Sequence, residues 1–223
     1  MSLVVLPIEH RDVPQCIEIR VAALGSLVIG RPPPYPGYIE ESMATVYNDL
    51  NNKPWVHHLK VVDRSAPNEV MAYAKWEIYP DRRPDLDKLG EPMDPDDASV
   101  DDFGLLRQAA HDYFCRRNGE MGKRPHMLLA LLVTSSQYRR QGAGSLLVQW
   151  GTVKSDETGL PAYLQASEQG RRLYSHHGFA ELDKVEFNLT DYGLNGVEIM
   201  TEMLRHPSGK IEPDSRNTLQ YNG

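Results

Sequence analysis

Met127-Leu128-Leu129-Ala130-Leu131-Leu132-Val133-Thr134-Ser135-Ser136-Gln137-Tyr138-Arg139-Arg140-Gln141-Gly142-Ala143-Gly144-Ser145 decides how this chain folds. The first seven residues are apolar without alternation, the pattern of a strand covered on both faces at the centre of a sheet. A turn from Thr134 to Gln141 follows, and Gly142-Ala143-Gly144 then opens a helix carrying Leu146, Leu147, Trp150 and Val153 at helical spacing. Backbone N–H groups near Gln141 to Ser145 begin that helix, so they lack intrahelical partners and sit at the positive end of its dipole. Gly142 and Gly144 carry no Cβ, which would let a diphosphate approach the backbone, and Arg139 and Arg140 would favour it further. The same glycines also suit a tight strand-to-helix turn in which they serve packing alone. Other nucleotide signatures fit less well: there is no Gly-x-x-x-x-Gly-Lys-Ser/Thr, and the third glycine of Gly-x-Gly-x-x-Gly would fall on Leu147.

Downstream, Gly159-Leu160-Pro161 closes the helix and Ala162 to Ala166 reads as a strand. A short helix around Glu168 to His176 precedes Gly178-Phe179; Val185, Phe187 and Leu189 then alternate in one strand and Val197, Ile199 and Met203 lie in a last one. Upstream, Leu3 to Ile8 reads as a strand and Pro14 to Leu24 as a helix, followed by a proline-rich loop from Arg31 to Gly37. A second helix spans Tyr38 to Leu50. A hairpin follows, with one strand from His57 to Val62 and another from Glu69 to Tyr79, in which Val70, Ala72, Ala74, Trp76 and Ile78 alternate with Met71, Tyr73, Lys75, Glu77 and Tyr79. From Asp81 to Asp102 nine acids face three bases, supplying six of the chain's seven net negative charges; this reads as a solvated loop. Phe103 to Arg117 is then helical, with Gly119 as its stop.

A chain of 223 residues is long enough for one sizeable core without staples, and 40% hydrophobic with 25% charged residues is ordinary globular composition. The net charge of −7 counts against generic nucleic-acid binding. Only Cys16 and Cys115 occur, so no disulfide framework is expected, and no segment has the apolar length of a membrane span. A soluble, cytoplasmic protein is the expectation. His111 and Cys115, four apart on a helix, are read as structural, so no metal is expected.

Arg139-x-x-Gly142-x-Gly144 after an apolar strand resembles the pyrophosphate loop of the GNAT acetyltransferase superfamily, in flavour its fungal members. Leu173-Tyr174-Ser175-His176-His177-Gly178-Phe179 resembles that family's Leu-Tyr-x-x-x-Gly-Phe segment. The similarity covers about Met127 to Leu189. It implies a mixed α/β fold with a mostly antiparallel sheet flanked by helices. Residues 1–205 would form one domain, interrupted at 81–125 by an acidic helical insertion before the central strand, with 206–223 a polar tail. It further implies transfer of an acetyl group from acetyl-CoA to a primary amine of a small molecule or peptide, by direct attack in a ternary complex. A non-catalytic acyl-CoA binding module on the same fold is the alternative, and either could act as a monomer or homodimer.

By the same resemblance, Arg139, Arg140, Gln141, Gly142, Ala143, Gly144 and Ser145 would hold the pyrophosphate. Leu132, Val133 and Thr134 would align the thioester and stabilise its oxyanion, and Tyr174 would protonate the departing thiolate. Two positions depart from the family pattern. Ser167 stands where an asparagine is common, so a cofactor hydrogen bond there would be shorter or absent, and Gly170 replaces a small helix former, at a cost of about 1 kcal/mol relative to alanine. For the base that takes the amine's proton, Glu77 is the first candidate, with Glu168 and His126 behind it.

Overall fold

The computed structural model describes residues 2–25, 27–29, 31, 35–89 and 103–208. Pro32 to Pro34 of the proline-rich loop, residues 90–102 of the acidic stretch and residues 209–223 of the tail lie outside them. In chain order the elements are β1 (Leu3–Pro7), α1 (Val13–Leu24), α2 (Tyr38–Asn52), β2 (Val56–Asp63), β3 (Ala72–Tyr79), α3 (Gly104–Gly122), β4 (His126–Thr134), α4 (Ala143–Thr158), β5 (Ala162–Ser167), α5 (Glu168–His176), β6 (Ala180–Asn188) and β7 (Val197–Arg205). The strands form one sheet in the order β1-β2-β3-β4-β5-β7-β6, antiparallel throughout except where β4 meets β5. This is the mixed, mostly antiparallel α/β sheet expected from the sequence.

Strand periodicity sorts the helices into two layers. Ala72, Ala74 and Trp76 of β3 enter a core with Leu147 and Val148 of α4, whereas Tyr73 enters another with Ile17 and Val46 of α1 and α2. The second face also takes α3, whose Met121 packs on Leu128 and Tyr163, and whose Leu106 and Tyr113 pack with Phe187 and Met200. Buried polar pairs lash this layer down. Asp49 of α2, 1% exposed, receives Lys75 at 2.9 Å and His58 at 3.1 Å, and the other ring nitrogen of His58 lies 2.6 Å from the Tyr73 hydroxyl. Burial alone would raise the Asp49 pKa, but His58, Lys75 and Lys53 outweigh it and hold the carboxyl well below the usual range. Glu202 of β7 does the same for α3, accepting from Tyr113 at 2.6 Å and from Arg117.

Three expectations are corrected. The helix read as stopping at Gly119 runs to Gly122, because Met121 is buried and Arg117 pairs with Glu120 at 2.8 Å. The strand read through Leu189 ends at Asn188, and Leu189 buries its side chain while opening a 3-10 turn. The central strand is not covered throughout: Met127 to Leu129 are buried, but Ala130 is exposed and Leu131 and Leu132 are only half-buried.

One close approach fixes α4 against the sheet. The Trp76 indole, fully buried, donates its N–H to the Leu147 carbonyl at 3.1 Å, and a Cβ at Gly151 would come within 2.1 Å of its ring. Gly151→Ala is therefore expected to lower stability in urea denaturation by about 3 kcal/mol, the upper part of the range for overpacking. Gly119→Ala should do the reverse, raising stability by roughly 0.5–1 kcal/mol, since a Cβ there meets nothing within 4 Å.

Candidate active site

β4 and β5 start as paired neighbours and then part. Their parallel register holds for Met127, Leu128 and Leu129 against Ala162, Tyr163 and Leu164 and goes no further, although β4 runs on to Thr134 and β5 to Ser167. At the point of divergence Lys75 faces Leu131 while Trp76 faces Leu129, so Ala130 is an extra residue bulged out of the β3–β4 ladder. Beyond it, β4 pairs with β3 on one side, and β5 with β7, leaving the two inner edges facing each other.

An open cleft of about 820 Å³ lies over this gap. Its floor takes Leu132, Val133 and Thr134 from β4, and one wall is the loop and first turn of α4, including Arg139, Arg140, Gly142, Ala143, Gly144 and Ser145. Ser167 and Tyr174 come from the β5–α5 side. Backbone conformation shapes the α4 wall: Arg140 and Gly142 both have positive φ, 63° and 90°, and Gly142 caps the helix without a side-chain hydrogen bond. The first intrahelical bond runs from Leu146 N–H to the Gly142 carbonyl at 3.1 Å, so the N–H groups of Ala143, Gly144 and Ser145 precede the ladder. They form a cradle for negative charge. Gly144 sits beside Leu132, Thr134 and Leu173, whose side chains would lie 3.5–3.6 Å from a Cβ there.

Tyr174 is 8% exposed, packs edge-on to Phe179, and has its phenol pushed up to about 12 by burial, so it keeps its proton at neutral pH. Ser145 Oγ lies 2.7 Å from His177 Nε2. Of the residues singled out for the cofactor, Gln141 does not line the cleft; its exposed side chain turns back to donate to the Gln137 carbonyl at 3.0 Å. Nor do the three base candidates. Glu77 is buried, taking Lys75 at 3.1 Å, the Tyr79 hydroxyl at 2.7 Å and Arg83 at 3.4 Å. Glu168 lies 3.4 Å from Arg171, and His126, its ring pushed down by burial, lies 2.9 Å from the Arg124 carbonyl. Ala23 and Leu24, at the end of the expected first helix, and Leu27 beyond it line the cleft unannounced, as do Tyr138 and Gln169.

No protein-family model and no curated protein matches this sequence. Solved structures do. One, described as histone acetyltransferase HPA2 and related acetyltransferase from Corynebacterium glutamicum, gives a TM-score of 0.59 at 22% identity, over 93% of this chain and 98% of its own. Another, described as of the GNAT family and from Desulfovibrio desulfuricans, gives 0.53 at 11% identity, over 92% and 99%. The chain has the GNAT fold. A third structure with this GNAT fold, Arabidopsis thaliana NAA60 in complex with acetyl-CoA, gives 0.55 at 14% identity over 92% and 98%.

Within the GNAT fold of this chain Glu77 is a structural ion-pair member by its contacts. Glu77→Gln should cost about 1.5–3 kcal/mol in urea denaturation, the scale of charged hydrogen bonds lost in the interior.

Proposed function

We propose that the protein transfers an acetyl group from acetyl-CoA to a primary amine, of a small molecule or a peptide, by direct attack in a ternary complex. The observation that carries this reading is the parting of β4 from β5 beside the uncapped first turn of α4. The residues there suit the group. Unbonded N–H donors with Arg139 and Arg140 match a diphosphate, and Leu24, Leu27, Leu132 and Leu173 match a largely apolar arm. The bound thioester supplies an activated acyl carbon.

The chain's part is to bind, orient and move protons. Ala143, Gly144 and Ser145 hold the diphosphate through backbone donors, and the open edge at Leu132 to Thr134 orients the arm and donates an N–H where oxyanion charge develops. Tyr174, which lines the cleft, gives its phenolic proton to the departing thiolate. No carboxylate or imidazole is among the described cleft-lining residues, and in this reading water takes the proton of the attacking amine.

An amine-panel assay following thiol release tests the reading. Tyr174→Phe should lower kcat about 100-fold or more while leaving CoA affinity within twofold; an unchanged kcat would remove Tyr174 from the chemistry. The pH profile of kcat/KM should rise with the amine's own ionisation and shift when a less basic amine is used. CoA binding without transfer to any amine would favour the non-catalytic module instead.

A further inference from the structure

We propose that His177 is a positioning residue that aims the Ser145 hydroxyl at a bound diphosphate. The inference rests on reading the first turn of α4 as the diphosphate site. Ser145 lines the cleft, and its Oγ sits 2.7 Å from His177 Nε2. The His177 backbone is itself held, its N–H donating to the Tyr174 carbonyl at 2.9 Å at the end of α5. A serine hydroxyl has one proton. If Nε2 is bare, Ser145 donates to the ring and turns only lone pairs toward the cleft, where they repel an anion. If Nε2 carries a proton, the ring donates to Oγ, and the hydroxyl proton is free for a phosphate oxygen. The two arrangements exclude each other, so anion binding selects the Nε2–H ring: the other neutral tautomer exchanges its proton between nitrogens, or the imidazolium forms by taking one proton from solvent.

The titratable and charged groups that act on the ring are His176 beside it in the chain and Arg205 of β7, whose guanidinium is itself paired to Asp156 of α4 at 2.8–2.9 Å. Burial first, then His176 and the Arg205 guanidinium, hold the ring below its ordinary value. In the free protein at neutral pH it is therefore neutral, and a diphosphate would draw it back toward protonation.

Calorimetry with CoA on the full chain tests this through a double-mutant cycle. His177→Ala should weaken binding about three- to tenfold, the scale of one hydrogen bond, and should change nothing further in a Ser145→Ala background. His177→Gln, whose amide can still donate to Oγ, should restore most of the affinity. Relative to His177→Gln, the parent should gain affinity as pH falls from 7.5 to 5.5, a comparison that cancels the titration of CoA itself. Thermal melts of each variant report folding separately. Additive losses in the cycle, or no recovery of affinity in His177→Gln, would overturn the role of His177 while leaving the diphosphate site standing. Absence of CoA binding by the parent would overturn both.

Discussion

Two strands that begin as hydrogen-bonded partners and cannot stay so are the constraint on which this molecule turns. After Leu129 and Leu164 the backbone of β4 and β5 has no shared ladder, yet both strands remain locked on their outer sides, β4 to β3 and β5 to β7. Interior backbone donors and acceptors ordinarily find partners. Here an edge is held open in the middle of a seven-stranded sheet, and the bulge at Ala130 marks where it begins. A largely apolar extended arm that carries a few amide-like donors and acceptors is what such an edge accommodates.

Rigidity around the gap comes from packing rather than from the gap itself. Trp76 pins α4 from below, its ring filling the hollow at Gly151, so the first turn of α4 stays at a set height above the open edge. On the opposite face Asp49, His58 and Glu77, all buried, and the half-buried Lys75 form a continuous network that ties α2 to β2 and β3. Each member is partnered, which keeps the interior charges tolerable. Glu77, so partnered, does not line the cleft.

Much of this was legible because it is local. The apolar run Met127 to Val133, the glycines at 142 and 144 and the short helix bearing Tyr174 each announce themselves within a few residues, and the sheet they build is the expected one. What escaped depends on partners distant in sequence. An unbroken apolar run looks the same whether its second half is buried or lines a cleft, so the exposure of Ala130 could not be read from it. Gly119 looks like a helix stop until Met121 finds Leu128 and Tyr163. Ala23 and Leu24 look like an ordinary helix end until α1 packs against β4 and brings them to the cleft. Glu77 alternates correctly on its strand, but alternation does not reveal that Lys75, Tyr79 and Arg83 already occupy it.

Amide hydrogen exchange with and without CoA tests the central claim most directly, because it reads the backbone of the open edge itself. The account predicts that CoA slows exchange at Leu132 to Thr134 and at Ala143 to Ser145, and leaves the paired segment Met127 to Leu129 as it was. Protection confined to other segments, or none on either side of the gap at saturating CoA, would contradict it.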